Sequence, residues 1–356
     1  RNMQIYKDII KDIMENGTLV ENRTGVKTIS CFGRQYRYNL KEGFPILTTR
    51  YQPFKKIAGE LLWFIQGDKN CDYLDEQDIK IWKQWTHPES NSIGPAYGYK
   101  WRHWPSSREP GTEIDQLQLV IDNIRNNPFS RRHVITVWDP AYLPDESVSP
   151  IDNVALGNTA LAECHILLNF SVRKLPLTES LLHTYNIEVL EQICKDLVSE
   201  GKIVVEKYMK EGHINTEDAC CVDSCAKLVR DYIRDNPDED FSQYDIKRNA
   251  LSLNLYQRSW DVGAAGGWNV SQYSLLLCLV AHVTGLIPYE FIHSIGDIHI
   301  YKDQIPGLME QIQREGYPLP TLLLNTDIKE IDDFTINDID LKDYRYHSKI
   351  VIPVAT

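Results

Sequence analysis

A cysteine next to a histidine is the residue pair in this chain best suited to covalent chemistry. Cys164 and His165 lie within the run Ala162-Glu-Cys-His-Ile. A thiolate is a strong nucleophile, and cationic groups close to it lower the thiol pKa. The alternative is a buried cysteine that only fills space, which is the usual state of this residue. The pair therefore indicates covalent catalysis only together with other motifs.

A polar cluster further along the chain could bind a phosphorylated substrate. The run Tyr256-Gln-Arg-Ser-Trp-Asp brings an arginine, a serine and an aspartate close together after an apolar strand pattern. Arg258 and Ser259 can bind a phosphate, and Asp261 can bind a ring or a cofactor. A surface salt bridge is the alternative for this cluster taken alone.

Two other patterns are compatible with a small anionic substrate. Arg131 and Arg132 are adjacent, and they form either an anion clamp or a solvated charge pair. Strand alternation places Asp297, His299 and Tyr301 on one face, at the spacing needed to hydrogen-bond a sugar.

Periodic apolar runs predict the elements that position these groups. They predict helices over 3–15, 56–66, 115–126 and 271–284, and strands over 28–38, 133–138, 164–172 and 251–256. The helix over 271–284 is apolar on nearly all sides, so we expect it in the core. Strands and helices in this irregular order predict an α+β domain around one sheet.

The stretch 174–247 differs from the rest in composition. It holds 16 acidic and 9 basic residues, so it supplies 7 of the 12 net negative charges of the chain. Its apolar residues recur at helical spacing. We therefore expect a small, mostly helical, acidic insertion within a single catalytic domain that spans 1–356.

Composition and charge limit the class of protein. A net charge of −12 argues against a nucleic-acid-binding surface, which needs clustered lysine and arginine. The longest apolar run, Leu275 to Val283, is too short to span a membrane. Eight cysteines without a framework spacing indicate a reducing compartment, so we expect a cytoplasmic protein, in the host cytoplasm if it is viral. Arg1 is not a translational start, and we expect a trimmed or tagged N-terminus.

Three cysteines within the acidic stretch could suggest a zinc site. Cys220, Cys221 and Cys225 follow His213, but their spacing matches no common Cys-x-x-Cys pattern. Packing in a core is the simpler interpretation, and we expect no metal.

Ordered motifs from Glu21 to the C-terminus resemble the thymidylate synthase family. The resembling segments are Glu21-Asn-Arg-Thr-Gly, Glu60-Leu-Leu-Trp-Phe-Ile-Gln-Gly-Asp, Ile81-Trp-Lys-Gln-Trp, Gly94-Pro-Ala-Tyr-Gly, Asp115-Gln, Ser130-Arg-Arg, Cys164-His, Tyr256-Gln-Arg-Ser, Asn269, His299-Ile-Tyr301 and Pro353-Val-Ala-Thr. The resemblance implies a three-layer α+β fold around a mixed β-sheet. It also implies folate-dependent one-carbon transfer to C5 of dUMP, with 5,10-methylenetetrahydrofolate as co-substrate, in a homodimer with shared active sites.

The resemblance also assigns roles to individual residues. Cys164 attacks C6 of the pyrimidine and makes C5 nucleophilic, Glu60 organises water and relays protons, and Tyr97 assists proton removal at C5. The remaining catalytic matches are Asp261 and Asn269. The substrate-binding matches are Arg23, Arg131, Arg132, His165, Gln257, Arg258, Ser259, Asn269, His299 and Tyr301, with Arg131 and Arg132 donated by the partner subunit. The matches on the folate side are Ile81, Trp82, Trp85, Asp261, Ala264, Trp268 and Ala355.

Asn269 bears on the choice of base. A carboxamide can accept from uracil N3–H and donate to O4 at the same time. Relatives that act on dCMP carry aspartate at the matching position, so Asn269 favours dUMP.

One loop and one residue beside the nucleophile depart from the family pattern. The segment Asp261-Val-Gly-Ala-Ala-Gly-Gly-Trp-Asn269 has Ala264 where the family has a leucine that packs against folate. Ala265 replaces the loop glycine, and Gly267-Trp268 replaces a Pro-Phe pair. Glu163 stands where the family has a proline before the cysteine.

These departures lead to a hypothesis about the product. Loss of apolar bulk would loosen tetrahydrofolate and admit water to the reaction intermediate, giving 5-hydroxymethyl-dUMP, as in the bacteriophage dUMP hydroxymethylases that the chain also resembles. The alternative is thymidylate synthase, with Trp268 refilling the volume and the near-intact C-terminal Pro-Val-Ala-Thr closing over folate. A nucleotide-binding relative without activity is a third possibility, against which the retention of Cys164, Glu60 and Asn269 argues.

Overall fold

The computed structural model describes residues 2–22, 24–206 and 222–355. The described residues fall into two compact units. The first unit lies within 1–172, 251–284 and 288–356, and the second within 173–250 and 285–287. The second unit contains most of the acidic stretch; that this stretch is an insertion into one catalytic domain stays a prediction.

The strands of the described residues form one large sheet and two small ones. They are β1 (Thr18–Val20), β2 (Thr28–Asn39), β3 (Trp104–Pro105), β4 (Glu113–Ile114), β5 (Val134–Thr136), β6 (His165–Lys174), β7 (Asn249–Asp261), β8 (Ile287–Tyr301), β9 (Thr321–Leu324) and β10 (Ile339–Lys342). The large sheet has six strands in the order β1-β2-β8-β7-β6-β5. The pairs β3–β4 and β9–β10 form two-stranded sheets. Together with the helices, this arrangement confirms the predicted α+β class.

The helices of the described residues differ widely in length. They are α1 (Asn2–Asn16), α2 (Phe54–Gln66), α3 (Asp72–Glu76), α4 (Gly98–Arg102), α5 (Gln116–Asn126), α6 (Pro150–Ala155), α7 (Leu177–Leu181), α8 (Ile187–Ser199), α9 (Val222–Asp235), α10 (Val262–Ala265), α11 (Trp268–Thr284) and α12 (Ile305–Gln313). None has the length and hydropathy that a membrane span requires.

Local chemistry explains where the longer helices begin and end. The Asp115 carboxylate caps α5 by accepting a hydrogen bond from the Gln118 backbone N–H, at 3.0 Å. At the end of α2, Gly67 adopts a φ of +76°, which glycine reaches without steric cost. These limits fix the position of α2, which carries Glu60.

The core of the first unit is built around α11. Its residues Leu275, Leu276 and Leu277 are fully buried, and the helix packs against α2 and α5. Burial of each such side chain contributes about 1.5–3 kcal/mol. This confirms the prediction of a core helix and gives the polar residues near its N-terminus a rigid support.

The sheet places three candidate site residues, Asp297, His299 and Tyr301, on one face of β8. Strand β8 pairs antiparallel with β2, with His299 opposite Ser30 and Tyr301 opposite Thr28. Along β8, Ile298 and Ile300 are fully buried, whereas His299 and Tyr301 are partly exposed. The predicted alternation of Asp297, His299 and Tyr301 is therefore present.

The second unit has a hydrophobic core of its own. Leu190, Ile193 and Leu197 of α8 and Leu228 and Val229 of α9 are buried in it. Cys225 is also buried in this core. His213, Cys220 and Cys221 lie outside the described residues, so the zinc interpretation is not tested.

Candidate active site

Cys164 lies directly before β6 and is held by contacts on both sides of its backbone. Its N–H donates to the Tyr97 Oη at 2.9 Å, and its carbonyl accepts from the Arg258 N–H at 2.8 Å. The Arg258 Nη2 is 3.8 Å from the Cys164 Sγ. The thiol is thus half-buried, fixed in place and next to one cation.

Burial raises the pKa of the Cys164 thiol; Arg258 lowers this pKa, and the neighbouring Glu163 raises it further. The pKa of the Cys164 thiol therefore lies above its ordinary value, contrary to the lowering that nearby cations would produce. The cation is present as predicted, but the loss of hydration and the extra carboxylate outweigh it.

Glu163, the residue at the family's proline position, is a buried acid. Its side chain is 2% exposed. Burial raises the pKa of Glu163 to about 7, although Lys100 and Arg258 act in the opposite direction. Lys100 is itself 1% exposed and forms an ion pair with Asp139 at 3.2 Å. The residue before the nucleophile is thus a buried acid whose charge interacts with the buried Lys100 and with Arg258.

We predict that Glu163→Gln lowers the thiol pKa of Cys164. An ionised Glu163 opposes formation of the thiolate, so its neutral isostere should favour the thiolate. The rate of alkylation by iodoacetamide, followed on the Cys164 peptide by mass spectrometry, should reach half its maximum at a lower pH. The exposed Glu146→Gln variant is the control. A midpoint that stays in place or rises would contradict this electrostatic role.

Glu60 is buried and accepts hydrogen bonds from three donors. The donors are Trp82 Nε1 at 2.8 Å, Trp268 Nε1 at 3.1 Å and Gln272 Nε2 at 2.6 Å. Burial raises the pKa of Glu60, and the bonds from Gln272, Trp82 and Trp268 lower it. Both carboxylate oxygens are thereby held in fixed directions, as a proton relay requires.

Tyr97 occupies a constrained backbone position beside the thiol. Its φ is +47°, which is costly for a residue with a side chain. A Cβ on the next residue, Gly98, would lie 2.0 Å from the Phe64 carbonyl oxygen, so only glycine fits there. The Tyr97 ring stacks on the His165 ring at 4.2 Å. These contacts aim the Tyr97 hydroxyl at the Cys164 backbone.

His165 is buried rather than open to a ligand. Its Nδ1 is hydrogen-bonded to the Tyr273 hydroxyl. Burial lowers the pKa of His165 to about 3, so the ring is neutral at physiological pH. Its predicted role in substrate binding stays a prediction, and its contacts instead support the position of Tyr97.

Asn269 and Gln257 are linked in the interior. Asn269 is 9% exposed, and its Oδ1 accepts from Gln257 Nε2 at 3.3 Å. Its Nδ2 donates to Gln272 Oε1 at 3.2 Å. Gln272 was not among the residues expected from the sequence. A long polar side chain in a largely apolar helix was the signal that could have identified it.

Among the described residues, Arg258 does not form the surface salt bridge that was its alternative. Its Nε donates to the Glu163 carbonyl at 2.6 Å and its Nη2 to the Ala162 carbonyl at 3.1 Å. Ser259 is half-buried next to it. On β8, the His299 Nδ1 lies 2.7 Å from an Asp297 carboxylate oxygen.

Two of the predicted arginine ligands are not assembled with this group, and the third is not described. Arg131 and Arg132 are exposed, which is compatible with donation to another subunit. Arg23 lies outside the described residues.

A cavity of about 630 Å³ adjoins the loop 261–269, which departs from the family pattern. It is lined by Arg50, Tyr51, Gln52, Pro53, Lys56, Ala264, Ala265, Trp268, Lys349, Ile350, Val351 and Ile352. Asp261 caps the following short helix by accepting from the Ala264 N–H at 3.0 Å. The cavity is therefore lined by two residues predicted on the folate side, Ala264 and Trp268, and Asp261 caps the short helix that carries Ala264.

The other residues predicted on the folate side vary in exposure. The Trp82 and Trp85 rings are 5.9 Å apart, and Trp82 reaches Glu60. Ile81 is exposed, and Ala355 is partly buried in the C-terminal segment. Within the described ranges, no three or more His, Cys, Asp or Glu side chains form a group that could hold a metal ion.

The sheet, the half-buried Cys164 and the buried Glu60 together make up an α+β protein with a candidate active site. The thymidylate synthase family model matches residues 4–190 and 186–356. The chain belongs to the thymidylate synthase family. It is therefore a one-carbon transferase that acts at C5 of dUMP, with methylenetetrahydrofolate as co-substrate.

Proposed function

We propose that the protein is a dUMP hydroxymethylase, which converts dUMP, methylenetetrahydrofolate and water to 5-hydroxymethyl-dUMP and tetrahydrofolate. The observation that carries the proposal is the loop with Ala264 and Ala265, which leaves a cavity of about 630 Å³ beside Trp268. Members of the family with a leucine in this loop pack it against folate.

The proposed reaction begins with covalent activation. The Cys164 thiolate adds to C6, and the C5 carbanion so formed attacks the methylene carbon of the folate. Loss of the C5 proton, assisted by Tyr97, and departure of tetrahydrofolate leave an exocyclic methylene on the ring. Water then adds to this methylene and gives up a proton through Glu60, after which the C6–S bond breaks and the thiolate leaves.

The competing outcome depends on how firmly tetrahydrofolate is held. If it stays stacked on the ring, it delivers hydride to the methylene, and the products are dTMP and dihydrofolate. A missing leucine side chain removes about 1.5–3 kcal/mol of apolar burial, which weakens retention several-fold or more. The small side chains at 264 and 265 therefore favour water over hydride.

The position of Trp268 supports the same outcome. Its indole N–H donates to Glu60 at 3.1 Å, so the ring edge is directed at the carboxylate. The ring lines the cavity together with Ala264, and the cavity persists beside it. Trp268 is held by its hydrogen bond to Glu60 and does not fill the volume that the family's leucine would occupy.

One observation favours thymidylate synthase, the second candidate. Gln304 is fully buried, and its Nε2 donates to the Pro353 carbonyl at 2.9 Å and to an Asp261 carboxylate oxygen at 3.1 Å. The near-intact C-terminal segment is thus linked to a residue predicted to bind the pterin. A segment held in this way could retain folate long enough for hydride transfer.

We predict that 5-hydroxymethyl-dUMP is the main product from dUMP and methylenetetrahydrofolate. Mass spectrometry should find a nucleotide heavier by CH₂O, and absorbance should show no stoichiometric dihydrofolate. Ala264→Leu should shift the product towards dTMP, because it restores apolar contact with folate. Ala155→Leu, on an exposed position of α6, is the control for an added leucine. Stoichiometric dihydrofolate with a CH₂ increment in the wild-type reaction would exclude the hydroxymethylase.

A homodimer with shared active sites and a cytoplasmic location are parts of the same proposal. The exposure of Arg131 and Arg132 supports the dimer, because both side chains are free to reach the phosphate site of a second copy. The proposal places the protein with the bacteriophage dUMP hydroxymethylases, which its sequence resembles.

A further inference from the structure

Gln272 is a fully buried polar side chain in α11, the largely apolar helix of the core. It lies on α11, one turn after Asn269, and its exposed fraction is 0%. Its Nε2 donates to Glu60 at 2.6 Å, and its Oε1 accepts from Asn269 Nδ2 at 3.2 Å. The side chain therefore connects the carboxylate to the carboxamide that is proposed to bind the base.

The same hydrogen bonds continue to the sheet. Asn269 Oδ1 accepts from Gln257 Nε2, and Gln257 Oε1 is 2.8 Å from His293 Nε2. Each amide in this chain of hydrogen bonds, which runs from Glu60 to His293, donates towards Glu60 and accepts from the His293 side. All the hydrogen bonds in this series therefore run in the same donor-to-acceptor direction, from His293 towards Glu60.

An ionised carboxylate fixes that direction because it can only accept. With Glu60 as acceptor, Gln272 must present its NH₂ to Glu60 and its oxygen to Asn269. Asn269 must then direct its NH₂ to Gln272 and its oxygen to Gln257. The Gln257 Nε2 also donates to the Ser259 carbonyl at 3.1 Å, so the contacts on both sides of Asn269 favour the same orientation of its carboxamide.

His293 at the other end is compatible with this direction. Burial lowers the pKa of His293 to about 3, so the ring is neutral and carries one N–H. Its Nδ1 is buried without a hydrogen-bond partner among the described residues. The tautomer with the proton on Nε2 donates to Gln257 and completes the chain.

The direction of the Asn269 amide decides which pyrimidine it complements. In the observed orientation, the second Asn269 N–H can donate to O4 and the second oxygen lone pair can accept from N3–H, which is the uracil pattern. The opposite orientation would donate to an unprotonated N3 and accept from an N4 amino group, which is the cytosine pattern. An asparagine that is free to flip would therefore accept either base.

We propose that Gln272 is a positioning residue that holds the Asn269 carboxamide in the orientation selective for uracil over cytosine. The proposal rests on the proposed role of Asn269 in binding the base. A flip of Asn269 would bring its oxygen against Gln272 Oε1 and its NH₂ against Gln257 Nε2. Both clashes are buried, and Glu60 cannot relieve them by donating, so the flip is strongly disfavoured.

The test compares the binding of dUMP and dCMP. Gln272→Met keeps the approximate length of the side chain but removes both hydrogen bonds. We expect the ratio of the two dissociation constants, measured by isothermal titration calorimetry, to fall about 10- to 100-fold towards equal binding. Ser274→Ala is the matched control, because Ser274 is buried on the same helix and has no hydrogen-bond partner among the described residues. Its ratio should equal that of the wild-type protein.

A second variant keeps the test decisive if Gln272→Met does not fold. Glu60→Gln preserves the shape of the side chain, but the glutamine can donate as well as accept. The series of hydrogen bonds then loses its fixed direction, and the ratio of the two dissociation constants should again fall towards equal binding. Equal weakening of dUMP and dCMP binding in these variants would overturn the proposal and assign Gln272 a structural role. A wild-type protein that binds both nucleotides equally would instead overturn the role of Asn269.

Discussion

Replacement of Cys164 by alanine should abolish turnover while dUMP still binds. The reaction requires a bond between sulfur and C6, and no other described thiol can replace it, because Cys31, Cys71, Cys194, Cys225 and Cys278 are buried. Removal of a covalent nucleophile lowers kcat by about 10⁴-fold or more. The measurements are single-turnover product formation and dUMP binding by calorimetry.

The control for this prediction is Cys194→Ala in the second unit, which should leave kcat unchanged. Cys194 is buried in the core of that unit. Turnover by the Cys164→Ala protein at a rate close to that of the wild type would eliminate covalent catalysis. A loss of both turnover and dUMP binding would point to a folding defect, which thermal unfolding would detect.

Glu60→Gln should lower kcat by about 10²- to 10³-fold with a smaller change in KM for dUMP. A carboxamide cannot accept a proton from water or from the ring, whereas the Glu60 carboxylate can. In Glu60, both carboxylate oxygens accept hydrogen bonds, from Trp82, Trp268 and Gln272. The glutamine that replaces it must therefore place its own NH₂ group against at least one of these N–H donors. The pH dependence of kcat measures this effect, because the limb due to Glu60 should disappear.

The control for Glu60 is Glu310→Gln, an exposed glutamate on α12 that should leave the pH profile unchanged. A Glu60→Gln protein that retains both kcat and the acidic limb of the wild-type profile would contradict the proposed relay. Burial raises the pKa of Glu60, so this limb should lie above the usual range for a glutamate.

Sequence patterns predicted the elements with strong periodicity. The helix predicted over 56–66 is Phe54–Gln66, and the strand predicted over 28–38 is Thr28–Asn39. Strand β7 extends past the predicted 256 to Asp261, because the polar Arg258 and Ser259 continue the backbone pairing that apolar alternation could not reveal. The length of β7 is thus set by backbone pairing with neighbouring strands beyond the point where the apolar alternation ends.

Contacts between distant segments could not be predicted from spacing. Gln272 and Glu60 are separated by 212 positions, and their hydrogen bond depends on how α11 packs against α2. The predicted helix began at 271, after Asn269, so sequence patterns did not place Asn269 and Gln272 one turn apart on the same helix. The thiol environment was misjudged for a related reason: an arginine is visible in a motif, whereas the desolvation that opposes it exists only after folding.

The acidic stretch begins and ends at neighbouring points of the chain path. The Leu175 N–H donates to the Arg248 carbonyl at 2.8 Å, so the two ends of this stretch lie side by side. Strand β6 ends at Lys174 and β7 begins at Asn249, so residues added or removed between Leu175 and Arg248 lie outside both strands. The two family matches overlap at 186–190, inside this stretch and not within a strand of the sheet. An insertion or deletion at this place would change the length and the isoelectric point of the protein without altering any residue of the candidate active site.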